Sequence, residues 1–392
     1  MNITDKRHIV KIETLTPVHI GSGIFLQNNA EFIRNGSDIY IMDHGKLLDI
    51  IGEERVDYWV AAIERGDDVQ KMIERIGKNA QPSQYAKRCI TARNLREVKP
   101  QATLKECMHD GRGIAYIPGS SIKGAIRTAI LADLAFDKKE YGDKINFSDR
   151  SNKFVGTPVE RFLFGKSPNS NVFRFLQVGD AYFTTGCEVA INEVNLNIRE
   201  THRSLLDEGK SQLVEAIGRG HEAEFTIKIA SEYNAFAFNE AEKKDRIIAD
   251  EKKKTALKIL PDNMCSVEKL FETINNSTKN LIKKEIGIWE KTGRQYDDDE
   301  TAENYVNAMR KILQAAEGCK SNECVLRVGQ ASGWRFTTGA WIESMDGDVY
   351  YKTVSKARFN AEKYKQYDFP KTRRITDNNE YPILGFIKLT FK

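Results

Sequence analysis

The chain has 392 residues, 40% hydrophobic and 30% charged, which suits two domains that each bury a core of their own. A formal net charge of +4 excludes a global field that would hold nucleic acid, so any basic surface must be local. Six cysteines without a Cys-x-x-Cys pair, and no run of about 18 apolar residues, point to reduced thiols in a soluble cytoplasmic protein with no membrane partner.

In chain order, His8-Ile9-Val10-Lys11-Ile12-Glu13-Thr14-Leu15-Thr16 alternates apolar and polar, the period of a half-buried strand. It runs into Pro17-Val18-His19-Ile20-Gly21-Ser22-Gly23, whose two glycines let the backbone approach a neighbour closely. Phe32 and Ile33, then Ile39 and Ile41, flank Asn35-Gly36 and predict a hairpin. From Lys46 to about Arg96 the apolar spacing becomes helical, as at Val60, Ile63 and Ile73. Gly113 to Ile117 returns to strand. Residues 137–157 and 166–171 read as loops, and Phe173–Phe183 and Glu188–Arg199 as strand-like runs. Glu222–Ile229 alternates cleanly. Residues 240–317 are mostly helical, with Leu270, Ile274, Leu281 and Trp289, then Val306, Met309 and Leu313, as a core face. Strands resume at Val325.

The stretch Tyr116-Ile117-Pro118-Gly119-Ser120-Ser121-Ile122-Lys123-Gly124-Ala125-Ile126-Arg127 reads as strand, turn and helix start, with Ser120 and Ser121 as N-caps. Unpaired N–H groups at that helix start, with Lys123 and Arg127 one turn apart on one face, make a phosphate cradle. It is not the Walker cradle, because Lys123 precedes Gly124 instead of following it. An ordinary capped helix with solvated basic residues is the bland alternative. A second stretch, Leu326-Arg327-Val328-Gly329-Gln330-Ala331-Ser332-Gly333-Trp334-Arg335-Phe336-Thr337-Thr338-Gly339, offers guanidinium forks for phosphates and an indole face for a base. Lys352 to Arg374 interleaves basic residues with Phe359, Tyr364, Tyr367 and Phe369, which suits a single strand of nucleic acid or a solvated surface with its aromatics turned inward.

Catalytic constellations are thin. Cys107 and His109 with Cys319 and Cys324 fit no zinc spacing, so no metal or cofactor is expected. His19 is the best candidate for a ribonuclease base, without a visible acid partner.

Three of these stretches together, Leu15–Gly23, Ile117–Arg127 and the Arg327–Gly339 loop, resemble the RAMP superfamily of CRISPR-associated RNA-binding proteins. The tail Tyr381-Pro382-Ile383-Leu384-Gly385-Phe386 is of the same kind. Length and layout are most similar to the fifth Csm subunits of type III-A effector complexes. That resemblance implies an α+β fold of two ferredoxin-like (RRM-like) RAMP domains with large helical insertions. The first would span 1–200, with an insertion about 46–110, and the second 201–392, with an insertion about 240–320. It also implies a non-catalytic subunit that caps the backbone at the 3′ end of the guide RNA (crRNA) and supports its maturation. The implied partners are crRNA, the backbone RAMP subunit and other Csm subunits, and recruited host nucleases. The residues carried over as contacts to RNA or to the neighbouring subunit are His19, Gly21, Gly23, Gly119, Ser120, Ser121, Lys123 and Arg127, with Arg327, Gly329, Gly333, Trp334 and Arg335 in the loop. The alternatives are a metal-independent endoribonuclease that processes crRNA, and another RAMP subunit holding the crRNA 5′ tag.

Overall fold

The computed structural model describes residues 7–76, 79–93, 95, 98–99, 101–145, 156–166, 171–197, 205–229, 266–293, 300–345, 372–378 and 382–392. Of the basic, aromatic stretch expected at 352–374 only residues 372–374 lie among them, and residues 167–170 of the loop expected at 166–171, residues 146–155 and the start of the second helical block lie outside. In chain order the strands are β1 (Arg7–Thr14), β2 (Gly21–Gln27), β3 (Phe32–Asn35), β4 (Asp38–Met42), β5 (Ala86–Thr91), β6 (Thr103–Cys107), β7 (Tyr116–Ile117), β8 (Leu176–Val178), β9 (Ala181–Tyr182), β10 (Glu188–Asn197), β11 (Leu206–Ile217), β12 (Glu222–Ile229), β13 (Glu323–Arg327), β14 (Thr372–Thr376) and β15 (Phe386–Phe391). The helices are α1 (His44–Ile51), α2 (Val56–Arg65), α3 (Val69–Ile76), α4 (Pro82–Tyr85), α5 (Gly119–Ala135), α6 (Thr157–Phe164), α7 (Val267–Gly293) and α8 (Glu300–Glu317).

They build an α+β fold on two sheets. The first runs β13-β15-β1-β12-β9-β7, with β8 also paired to β12. The second runs β2-β6-β11-β10-β5-β4-β3, with β14 also paired to β10. Alternation along β1 turns Val10 and Ile12 into a core shared with Ile122, Ile126 and Ile130 of α5 and Leu270 and Ile274 of α7. Each such fully buried side chain contributes roughly 1.5–3 kcal/mol of transfer free energy. A second cluster packs α7 and α8 against β10 and β14 through Ile282, Trp289, Tyr305, Met309, Val194 and Ile375.

Most predicted elements stand where the periodicity put them. The hairpin pairs Asn35 with Asp38 through Gly36 at φ +61°. Both sheets take strands from either side of residue 200: β1 pairs with β12 and β15, and the boundary expected there falls between the neighbours β10 and β11. The helical spacing expected from Lys46 to about Arg96 ends sooner, at α4. β5 and β6 follow because Ala86–Thr91 and Thr103–Cys107 alternate and pair with β4 and β2. The loop expected at 137–157 contains a 3-10 turn over Lys139–Lys144, and Thr157 already opens α6. No helix among the described residues is long and apolar enough to cross a membrane.

Candidate nucleic-acid interface

The opening motif is threaded between the sheets. Val18 exchanges backbone bonds with Ile217 of β11, and His19 Nδ1 donates to the Glu215 carbonyl at 2.6 Å. His19 is 2% exposed, and burial lowers its pKa, so the imidazole is neutral and its Nε2 lies against Gly21. The glycine-rich loop docks on the same segment. Gln330 N–H donates to the His19 carbonyl at 3.0 Å, and Val328, Gly385 and Pro17 continue the seam. Gly329 sits at φ +76°, and a Cβ there would meet the His19 oxygen at 2.4 Å. Only glycine permits that approach.

Past His19 the chain reaches the surface. Gly21 pairs with Cys107 and Phe25 with Lys105, so Ser22, Gly23 and Ile24 bulge out of β2, with Gly23 at φ +90°. Lys105, which no sequence signal had marked, stands beside this bulge, 5.8 Å from the Phe25 ring and 3.4 Å from the Gln330 amide oxygen. Beneath the bulge is a buried ionic cluster. Arg88 forks onto Glu215 at 3.1 and 3.0 Å and reaches Glu106 at 2.9 Å. His109 Nε2 lies 3.3 Å from Glu188, and Ser22 Oγ donates to Glu106 at 3.2 Å. Glu106, His109 and Glu215 could in principle ligate a metal ion. Arg88 already bonds both of those carboxylates, so the guanidinium supplies the cation of this cluster.

The start of α5 corrects an expectation. The N-cap is Pro118, which has no side-chain bond to give, and Ser120 and Ser121 lie inside the first turn. The acceptor comes from the β8–β9 turn, where Asp180 takes the Gly119 N–H at 2.7 Å. Gly119 is needed because a Cβ would meet the Val178 carbonyl at 2.2 Å. The anion site at this helix end is thus filled by a carboxylate of the protein. One turn on, Lys123 and Arg127 do share a face. Together with Glu160 and Arg161 of α6 they line a cleft of about 490 Å³. Arg127 pairs with Glu160 at 2.5 Å and lies over the Phe164 ring. α5 also touches the glycine-rich segment, Thr128 Oγ1 lying 3.2 Å from Thr338 Oγ1.

The two arginines of that segment point inward. Arg327 is 6% exposed, donates to the Leu384 and Ala331 carbonyls, and lies over Phe336 and Phe386. Arg335 is 1% exposed and pairs with Glu285 of α7 and with Glu343. Glu285 also binds Arg373 of β14, the Tyr305 hydroxyl at 2.6 Å and the Trp289 indole N–H at 3.2 Å. Burial pushes the Glu285 carboxyl up, but Arg373 and Arg335 outweigh it and hold it well below the usual range. Gly333, at φ +74°, lets the Arg373 side chain pass, since a Cβ would lie 3.2 Å from Arg373 Cδ. Trp334 is half-buried beside it. The sequence did hold a signal for Glu285: it falls four residues from both Leu281 and Trp289, on the apolar face of α7.

The family described as the RAMP superfamily matches residues 11–336. The chain is 25% identical, over 414 residues, to the CRISPR system Cms protein Csm5 of Methanocaldococcus jannaschii, covering 97% of this chain and 88% of that protein. It is 29% identical over 154 residues to the protein of the same name from Enterococcus italicus, covering 32% of this chain and 43% of that one. Among solved structures, it resembles a chain in the cryo-EM structure of a Csm-crRNA-target RNA ternary complex of a type III-A CRISPR-Cas system. There the TM-score is 0.67 at 18% identity, over 98% of this chain and 100% of that one. It also resembles the crystal structure of T. onnurineus Csm5, with TM-score 0.59 at 17% identity, over 96% and 99% of the two chains.

Proposed function

The chain belongs to the RAMP superfamily, and from that premise we propose that it is a crRNA-binding Csm5-type subunit of a type III-A CRISPR effector complex. In this reading it caps the backbone RAMP subunits at the 3′ end of the crRNA and supports crRNA maturation by positioning other nucleases. The observation that carries the proposal is the contiguity of three motifs far apart in sequence. The Leu15–Gly23 segment, the glycine-rich loop and α5 are joined by Gln330 N–H to the His19 carbonyl and by Thr128 to Thr338. A relative named Csm5 that aligns over 97% of the chain supports it.

The motif residues divide by exposure. RNA contact falls to Gly21, Gly23, Ser120, Ser121, Lys123, Arg127, Gly329 and Trp334, which are exposed or half-buried. His19, Gly119, Arg327 and Arg335 are buried and hold those groups in place, and Gly333 makes room for Arg373. The same division disfavours an intrinsic ribonuclease, because His19 gives its Nδ1–H to a carbonyl and keeps Nε2 out of solvent. The test is to express the effector complex with and without this chain and to size the RNA that co-purifies. Guide RNA that stays long, or loses one end, without the chain supports the capping role. Guide RNA of unchanged length and ends refutes it.

A further inference from the structure

The cleft between α5 and residues 157–166 and 171–174 has a wall that no motif marks. Facing Lys123 and Arg127 are Arg161, Lys166 and Arg174. Among the described residues, the lining holds five basic side chains and one carboxylate, Glu160. The formal charge of the whole chain is +4. The cleft is thus one place where basic charge is concentrated, as a modest net charge requires of any basic surface.

The individual groups are poised for an external anion. Lys123 is half-buried and has no carboxylate within ion-pair distance among the described residues. Burial alone lowers its pKa, so it has given up water without gaining a counter-charge. Arg161 is exposed and likewise has no such partner among them. Arg127 gives an Nη2–H to Glu160, while its buried Nε–H meets no acceptor. A phosphate group offers several acceptor oxygens with negative charge, which suits a guanidinium that has one donor engaged and another unmet. Glu160 stands in the way, since among the described lining residues it is the one carboxylate that repels an incoming phosphate, and it already holds Arg127.

We infer that this cleft takes the sugar–phosphate backbone of a single RNA strand, gripped between Lys123 and Arg127 on one wall and Arg161, Lys166 and Arg174 on the other, and that Glu160 competes with the strand for Arg127. This rests on the chain being an RNA-binding subunit. A carboxylate inside the grip weakens retention of any one strand and lets the backbone shift along the cleft.

The test uses the full-length protein and a fluorescein-labelled single-stranded RNA, titrated at several salt concentrations. For single strands the salt slope falls by about 0.7 per lost phosphate contact, equivalent to about a 5-fold loss of affinity per contact at 0.1 M salt. Arg161→Ala with Arg174→Ala should therefore lower the slope by about 1.4 and weaken binding about 25-fold. Arg161→Lys with Arg174→Lys should keep the slope, because the charges remain. Glu160→Gln should tighten binding about 5-fold by releasing one cation. Thermal melts of each variant confirm folding, and Glu160→Gln, whose salt slope should rise by about 0.7, keeps the test decisive if the alanine variant does not fold. Wild-type protein that binds RNA, with slopes unchanged in every folded variant, would overturn the cleft and leave the RNA-binding reading standing. Wild-type protein that does not bind RNA would overturn both. Variants that bind RNA normally but fail to join the effector complex would make the cleft a protein contact, and would also overturn the inference.

Discussion

Glu285→Gln removes one negative charge from a deeply buried ion cluster, Glu285 being 2% and Arg335 1% exposed. In the wild type, three buried guanidinium groups, Arg327, Arg335 and Arg373, surround Glu285, and Glu343 shares Arg335. Glutamine keeps the shape, but its amide can face the donors with one oxygen only, and one more buried positive charge is left unmatched. Breaking a buried pair in this way costs about 3–5 kcal/mol. Against a total stability of roughly 5–15 kcal/mol, that loss would be visible in any unfolding experiment. Urea denaturation followed by tryptophan fluorescence suits it, because Trp289 bonds directly to the carboxylate. The pH dependence checks the cause. The Glu285 carboxyl lies well below its ordinary 4.5 in the folded state, so its contribution is complete above that value and lost as the pH falls further. The gap between wild type and variant should therefore close on acidification and stay constant at neutral and mildly alkaline pH. A loss below about 1 kcal/mol at pH 7, the scale of an exposed pair, would refute the reasoning.

Lys123→Ala with Arg127→Ala should weaken RNA binding and lower the salt slope by about 1.4, two single-strand contacts, and an unchanged slope in the folded double variant would dismiss α5 as an RNA contact. Gly329→Ala forces a side chain to φ +76° and into the His19 carbonyl, so it should cost about 1–3 kcal/mol in a thermal or chemical melt. Gly124→Ala, inside α5 with open space around it, should instead be neutral or stabilise by up to about 1 kcal/mol in the same assay. His19 is buried neutral with its pKa below 6.5, so acidification below that value protonates the unfolded chain first and lowers stability. His19→Gln should flatten that part of the pH–stability curve.

How much of this was legible depends on whether a feature is local. The alternation of β1 and β12, the Asn35-Gly36 turn and the apolar face of α7 follow from residues a few positions apart, and the structure shows all three. The identity of the neighbours does not. Nothing in Arg7–Thr14 says that it pairs with residues 222–229 and 386–391. The surroundings of the two arginines in the glycine-rich loop are hidden for the same reason. Two arginines beside three glycines look like a phosphate grip until Glu285, 42 and 50 residues upstream of Arg327 and Arg335, is found among them. A lone carboxylate at core spacing on α7 was the available clue, and it only says that some cation must come to meet it.

The helix start of α5 shows how a welcome for negative charge can be legible in sequence while the group that meets it is not. Glycine, serines and two basic residues do mark a place where negative charge is welcome, and at Gly119 the protein itself supplies that charge through Asp180 at 2.7 Å. A phosphate arriving there would have to displace a carboxylate already bonded to the backbone. One turn further on, the balance reverses. Lys123 has lost water without gaining a carboxylate, and Arg127 shares one with a wall that carries three more cations. An incoming phosphate therefore has less to displace and more to gain between α5 and α6 than at the helix end. The N-terminus of α5 is fixed against the β8–β9 turn by that bond, which holds the basic face one turn along in position.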